Sequence, residues 1–300
     1  MKILVTGAWK CTDDEIKRLY AMGHSVVFMQ NEKDELPLSA EEIEGVICNG
    51  LFLYHDIEEF TSLKYIQLTS AGLDRVPVEY INEKGIALLN ARGVYSVPMA
   101  EYAVWGVLAL YRNATIHHES KKAHAWNKVR SVMELSGKTV LIVGCGSVGG
   151  ECAKRFSAMG CRVIGVDIAD GVDEYYEKIV SIDGIESLVS EADVVVLTIP
   201  HTDKTHRLFN AELIEKMKST AVLVNIARGG VVDSTALEDA LASGKIFGAV
   251  LDVFDEEPLV GESPLWDLPN VIITPHNSFV GENNHKRLSK VILDNLSEHE

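Results

Sequence analysis

The chain is short of cysteine, of cations and of long apolar runs, and each shortage removes a class of protein. Its five cysteines (Cys11, Cys48, Cys145, Cys152, Cys161) are odd in number and form no C-x-x-C pair. That argues against a disulfide framework and points to a reduced, intracellular chain with buried thiols. Only 28 Lys and Arg stand against 44 Asp and Glu, a formal net charge of −16. A chain this acidic repels phosphate backbones and anionic lipid, which argues against nucleic acid and membrane surfaces as partners. The N-terminal MKILVTG offers three consecutive large apolar residues, too few for a signal peptide or a membrane span. A cytoplasmic location follows as the expectation. No repeat or low-complexity tract is present, and no His, Cys, Asp or Glu spacing suggests a metal site.

What remains is 300 residues of ordinary globular composition, 47% hydrophobic and 24% charged. That length exceeds what one core usually serves, so two domains are expected. Short runs of Val, Ile and Leu alternate with amphipathic stretches, the signature of a parallel sheet covered on both faces. The pattern predicts strands at 3–6, 26–28, 46–48, 65–68 and 86–88, with a helix over 13–22 capped by Thr12. At Ser96 the pattern changes to SVPMAEYAVWGVLALYR, apolar on nearly all sides, which predicts deep burial or a subunit interface. Residues 113–130 are polar without a stripe. A second alternating unit then predicts six strands, at 139–143, 162–166, 194–199, 222–226, 248–253 and 271–273. The closing segment carries Leu288, Val291, Ile292 and Leu296 at helical spacing. With no sheet left to extend, it is expected to fold back on the first domain. The expected division is 1–95 with 281–300 against 96–280. The fold class is α/β, two doubly wound parallel-sheet domains, one flavodoxin-like and one Rossmann-like.

GCGSVG follows the strand TVLIV and precedes a helical run, placing Gly144, Gly146 and Gly149 in a dinucleotide-binding loop. Such a triplet alone is a weak signal; the strand before, the helix after and an acid 23 residues beyond Gly144 strengthen it. Gly144 permits the turn, Gly146 the approach of a pyrophosphate, and Gly149 close helix–strand packing. Asp167 closes the strand RVIGVD, where it can accept from ribose hydroxyls and repel a 2′-phosphate, favouring NAD over NADP.

The last three predicted strands are followed by Ala227-Arg228-Gly229-Gly230, by Asp255-Glu256-Glu257-Pro258 and by Thr274-Pro275-His276. Taken singly, Arg228 is a surface cation, Glu257 part of a solvated acidic run and His276 a structural histidine. Ligands of open parallel sheets, however, bind outside the strands' carboxyl ends. Reducing a keto acid by hydride transfer needs a cation for its carboxylate, a proton donor for its carbonyl oxygen and a carboxylate to orient that donor. Arg228, His276 and Glu257 supply that set.

The glycine loop, NIARGGVVD, LDVFDEEPL and SPLWDLPNVIITPHNSF together resemble the D-isomer-specific 2-hydroxyacid dehydrogenase family. TSAGLDRVP resembles that family's substrate-carboxylate loop and SVPMAEYAVWGVLAL its interdomain helix, so the likeness covers nearly the whole chain. The resemblance implies that Arg228 binds the substrate, that Glu257 pairs with the acid–base His276, and that Asp252 holds the nicotinamide carboxamide. Ser70, Ala71 and Gly72 fall where backbone N–H groups meet the substrate carboxylate. Ser147, Val148, Pro200, Thr205 and Ala227 join the glycines and Asp167 in the implied cofactor site. A homodimer paired through the NAD-binding domain is implied too. Within the family, NGLFLYHD at 49–56 lacks Lys and Arg, which favours an unphosphorylated substrate such as glyoxylate, hydroxypyruvate or pyruvate over 3-phosphoglycerate. Arg75 could still supply a cation, and the apolar residues of that stretch could equally pack the domain. An NAD-sensing, corepressor-like binding protein is the alternative from another class.

Overall fold

A computed structural model describes residues 1–299. The chain forms two compact units, Met1–Tyr95 together with the segment from Gly281 onward, and Ser96–Val280.

The first unit is a five-stranded parallel sheet. Its strands are β1 (Lys2–Thr6), β2 (Ser25–Met29), β3 (Gly45–Cys48), β4 (Tyr65–Leu68) and β5 (Ala87–Leu89), in the order β2-β1-β3-β4-β5. That order is flavodoxin-like. Helices α1 (Asp13–Ala21) and α2 (Val78–Lys84) connect strands. Thr12 caps α1 in a capping box, accepting from Glu15 N–H while the Glu15 carboxylate accepts from Thr12 N–H.

The second unit begins with two helices, α3 (Ser96–Tyr111) and α4 (Ala114–Lys122). Its seven parallel strands are β6 (Thr139–Val143), β7 (Arg162–Asp167), β8 (Lys178–Ser181), β9 (Val194–Leu197), β10 (Val222–Asn225), β11 (Gly248–Leu251) and β12 (Val271–Ile273). They run in the order β12-β11-β10-β9-β6-β7-β8, the Rossmann arrangement extended by one strand. Helices α5 (Ser147–Ala158), α6 (Ile185–Val189), α7 (Ala211–Lys216) and α8 (Ser234–Ala242) link them. Strands β9, β10 and β11 are buried throughout, which is why they read as unbroken apolar runs.

The sequence pattern missed β8. KIVS sits at the sheet edge beside β7, begins with an exposed Lys178 and buries no residue fully, so it carries too little apolar signal to stand out. Nor is α3 sunk on all sides. Ala100, Ala103, Gly106, Val107 and Leu110 face the core, while Trp105 is 51% exposed. A Cβ on Gly106 would lie 2.4 Å from Val250 Cγ1, so the glycine is what lets this helix approach β11. The polar stretch after it does form α4, a helix with no buried residue.

The last helix, α9 (Asn284–Glu298), belongs to the first unit. Leu288, Ile292, Leu293 and Leu296 share a core with Ile3, Val5, Trp9 and Leu19. Burying each such side chain stabilises by about 1.5–3 kcal/mol. Polar contacts fix the docking: Trp9 Nε1–H donates to Ser289 Oγ at 2.9 Å, and Arg287 Nε–H to the Val94 carbonyl at 2.7 Å.

Candidate active site

The glycine loop is built by sterics. Gly144 has φ +100°, a conformation that L side chains rarely adopt, and a Cβ there would lie 2.9 Å from Thr198 Oγ1 and Ile199 Cγ2. The Thr198 hydroxyl donates to the Gly144 carbonyl at 2.6 Å, tying the loop to the end of β9. A Cβ on Gly149 would meet the Gly144 carbonyl oxygen at 2.0 Å, so helix and strand touch only because residue 149 is glycine. Around Gly146, the N-cap of α5, a Cβ would meet nothing within 4 Å. That open approach, at the N-terminus of a 12-residue helix, fits a pyrophosphate.

Asp167 ends β7 beside this loop. One carboxylate oxygen accepts from Cys145 N–H at 2.6 Å and the other from Ile168 N–H at 2.7 Å. Acid and glycine loop therefore hold each other in register. Ser147 pairs with Ser96 through their hydroxyls at 2.8 Å, and Val148 is half-buried against the core that contains α3. After β9, Pro200 and Thr205 share a tight turn in which the Thr205 hydroxyl donates to the Pro200 carbonyl at 2.7 Å.

Three neighbouring strands deliver the remaining side chains. β10, β11 and β12 lie side by side in parallel register, and Arg228, Glu257 and His276 follow their carboxyl ends. Arg228 Nη1–H donates to the Ala227 carbonyl at 2.8 Å, and Ala227 N–H donates to the Asn225 side chain at 3.1 Å. The glycines after Arg228 are sterically required. A Cβ on Gly229 would come within 1.9 Å of the Phe254 carbonyl carbon, and one on Gly230 within 2.7 Å of the His201 ring.

His276 Nδ1 lies 2.8 Å from Glu257 Oε2. A carboxylate only accepts, so Nδ1 carries the proton of the neutral ring. The other Glu257 oxygen accepts from Phe254 N–H at 3.0 Å. Both side chains of the pair are partly exposed, so its contribution is orientation more than stability. His276 has φ +50°, a left-handed backbone unusual for a non-glycine residue.

Asp252, fully buried at the end of β11, binds that loop on several sides. Its Oδ1 accepts from Thr274 Oγ1 at 2.5 Å and Asn277 N–H at 2.7 Å, its Oδ2 from Ser278 N–H at 2.9 Å, and its carbonyl from His276 N–H at 2.8 Å. This bracketing was not readable from LDVF. The threonine of TPHNSF was in view but gave no sign of its partner.

In the first unit, Ser70, Ala71 and Gly72 follow β4. The Ser70 hydroxyl donates to the Gly72 carbonyl at 3.0 Å, and Asn90 Nδ2–H donates to the Ala71 carbonyl at 2.7 Å. His117, His118 and His124 are exposed, and His201 and His206 bond each other at 3.0 Å. Among the described residues no three His, Cys, Asp or Glu side chains converge as metal ligands, and no helix is long and apolar enough to cross a membrane.

Residues 104–278 match the model of the D-isomer specific 2-hydroxyacid dehydrogenase NAD-binding domain. Similar proteins include the D-3-phosphoglycerate dehydrogenase of Methanocaldococcus jannaschii, 36% identical over 99% of this chain; the chain spans 57% of that relative's length. The hydroxypyruvate reductase of Thermotoga maritima is 36% identical over 82% of this chain and 81% of its own. Among solved structures, the TT0316 protein of Thermus thermophilus superposes with a TM-score of 0.78 at 32% identity, covering 99% of this chain and 96% of that one. NAD is the cofactor that the matched domain takes, and the loop at 144–149 has the shape to receive it. Sequence match, superposition and glycine cradle agree, and the chain belongs to the D-isomer-specific 2-hydroxyacid dehydrogenase family.

Proposed function

We propose that this chain interconverts a small, unphosphorylated D-2-hydroxy acid and its 2-keto acid. The observation that carries the reading is the placement of Arg228, Glu257 and His276 behind three adjacent strands, with His276 and Glu257 bonded at 2.8 Å. NAD(H), when bound, supplies or accepts the hydride at the substrate carbon. Arg228 forks across the carboxylate and carbonyl oxygens of the acid, which a lysine does poorly. His276 gives a proton from Nε2 to the carbonyl oxygen in reduction and takes it back in oxidation. Glu257 accepts from Nδ1–H and fixes the ring's tautomer and orientation. Gly144, Gly146, Ser147, Val148 and Gly149 form the pyrophosphate cradle, with Asp167 on the ribose. Pro200, Thr205 and Ala227 line the remaining cofactor contacts, and Asp252 serves the carboxamide as well as the His276 loop. Ser70, Ala71 and Gly72 offer N–H groups to the substrate carboxylate.

An apolar substituent suits the first unit. Leu53 and Tyr54, after β3, are 57% and 60% exposed, and Leu73, after β4, is 37% exposed. Apolar side chains left in water at strand ends favour an aliphatic or aromatic keto acid over a phosphorylated one. The reading competes with 3-phosphoglycerate, the substrate in the M. jannaschii relative's name. Exposed Trp105 and Trp126 support a homodimer paired through the second unit, working in the cytoplasm.

The test is NADH oxidation with glyoxylate, hydroxypyruvate, pyruvate, 2-ketoisocaproate and phosphohydroxypyruvate, repeated with His276→Ala. The expected result is turnover of an unphosphorylated acid, with kcat about 10²–10⁴-fold lower in the variant. Preference for phosphohydroxypyruvate would return the phosphoglycerate reading, and no turnover of any acid would favour an NAD-sensing binding protein.

A further inference from the structure

His276 keeps its left-handed backbone (φ +50°) because the segment around it is tied to Asp252 at four points. A non-glycine residue holds that conformation only where its neighbours enforce it. One of the four ties, the Thr274 hydroxyl, leads further. It lies 2.5 Å from Asp252 Oδ1 and 2.7 Å from Tyr102 Oη, on α3 and 172 residues earlier in the chain. Thr274 has one hydroxyl proton and the carboxylate can only accept, so that proton goes to Asp252. Tyr102 then supplies its own proton to Thr274 Oγ1. Burial pushes the Tyr102 phenol up to about 12, so it remains a donor throughout the working pH range.

We propose that Tyr102 is a positioning residue for His276, its hydroxyl acting through Thr274 and Asp252 to fix the loop that aims the imidazole. The inference rests on the acid–base reading of His276 and adds a residue from another part of the chain. Directional bonds run Tyr102 to Thr274 to Asp252, while Asp252 accepts from Asn277 and Ser278 N–H on one side and from His276 N–H on the other. Removing the first donor frees the Thr274 rotamer, and the bracket around His276 loses one of its fixed ends. Chains of hydrogen bonds in a buried site polarise one another, so loss at one end is felt at the other.

The experiment is a double-mutant cycle with Tyr102→Phe and Thr274→Val, assayed with the keto acid reduced fastest by the wild type. Tyr102→Phe is expected to lower kcat about tenfold, the size of one neutral hydrogen bond. The KM for the keto acid is expected to stay near the wild-type value, because Arg228, which anchors the carboxylate, lies outside the bracket around His276. The double variant should be no worse than Thr274→Val alone, and Thr274→Ser, which keeps the hydroxyl, should restore kcat. Tyr111→Phe is the control: its hydroxyl lies on the same helix, 3.5 Å from the Asp193 carbonyl, and its loss should alter Tm without lowering kcat. Additive effects of the two substitutions, or a Tyr102→Phe enzyme with unaltered kcat, overturn the relay while His276→Ala stays strongly impaired. Full turnover in His276→Ala overturns the acid–base reading itself, and the relay with it.

Discussion

The proton on His276 Nδ1 is committed to Glu257, and in the proposed reaction that one bond would decide which ring nitrogen meets the substrate. A neutral ring with its proton on Nδ1 offers Nε2 as a base, and the imidazolium offers Nε2–H as an acid, so both directions of the proposed reaction would use one atom. In Glu257→Gln the side-chain amide can present its nitrogen as well as its oxygen to Nδ1, so the tautomer and the ring's aim are no longer dictated. Keto-acid reduction should lose kcat while NADH binding is little changed. Steady-state NADH oxidation would show it, and an unaltered kcat would break the pairing as a functional unit. Glu256, one residue earlier, is exposed and has no part in the His276 bond.

Among the elements, the turn from β6 into α5 separates two jobs that look identical in GCGSVG. Gly149 is needed for the fold, since its Cβ would sit 2.0 Å from a backbone oxygen, whereas Gly146 has free space around it. Gly149→Ala is therefore expected to lower Tm by several degrees or prevent folding, while Gly146→Ala should leave Tm within about a degree and weaken NADH binding. Melting curves and NADH fluorescence titrations measure the two effects; equal Tm losses in both would contradict the division. Much of this was legible in the sequence. Fully buried strands such as VVVL and VLVN announce themselves as apolar runs, and glycine spacing fixes the loop. The edge strand KIVS was illegible because it buries so little, and α4 because a helix without a buried face has no stripe. The bond between Tyr102 and Thr274 was illegible for a different reason: 172 residues separate the partners, and nothing local to either one marks the other.

At the scale of the whole molecule, one buried and two half-buried thiols set an upper bound on stable pH. Burial pushes Cys145 and Cys161 up to about 11 and Cys152 up to about 12, from an ordinary value of 9.0. The folded chain keeps these protons between pH 9 and pH 11 while the unfolded chain releases them. The unfolded state binds fewer protons there, so stability must fall as pH rises through that window. Chemical denaturation at pH 7.5, 9 and 10.5 is expected to show midpoints falling above pH 9, with a shallower fall in Cys152→Ala. At neutral pH the same thiols should react slowly with disulfide reagents until the chain is unfolded.

The first unit draws its core from segments on either side of the second, with Trp9 bonded to Ser289 and Ile3 and Val5 packed among the leucines of α9. Ser96–Val280, by contrast, is one unbroken stretch. On the ribosome domains generally fold in the order in which they are made, but here the unit begun first is finished second. Strands made before the second unit wait for a helix made after it, and Ser96–Val280 can be complete while the first unit is still unfinished.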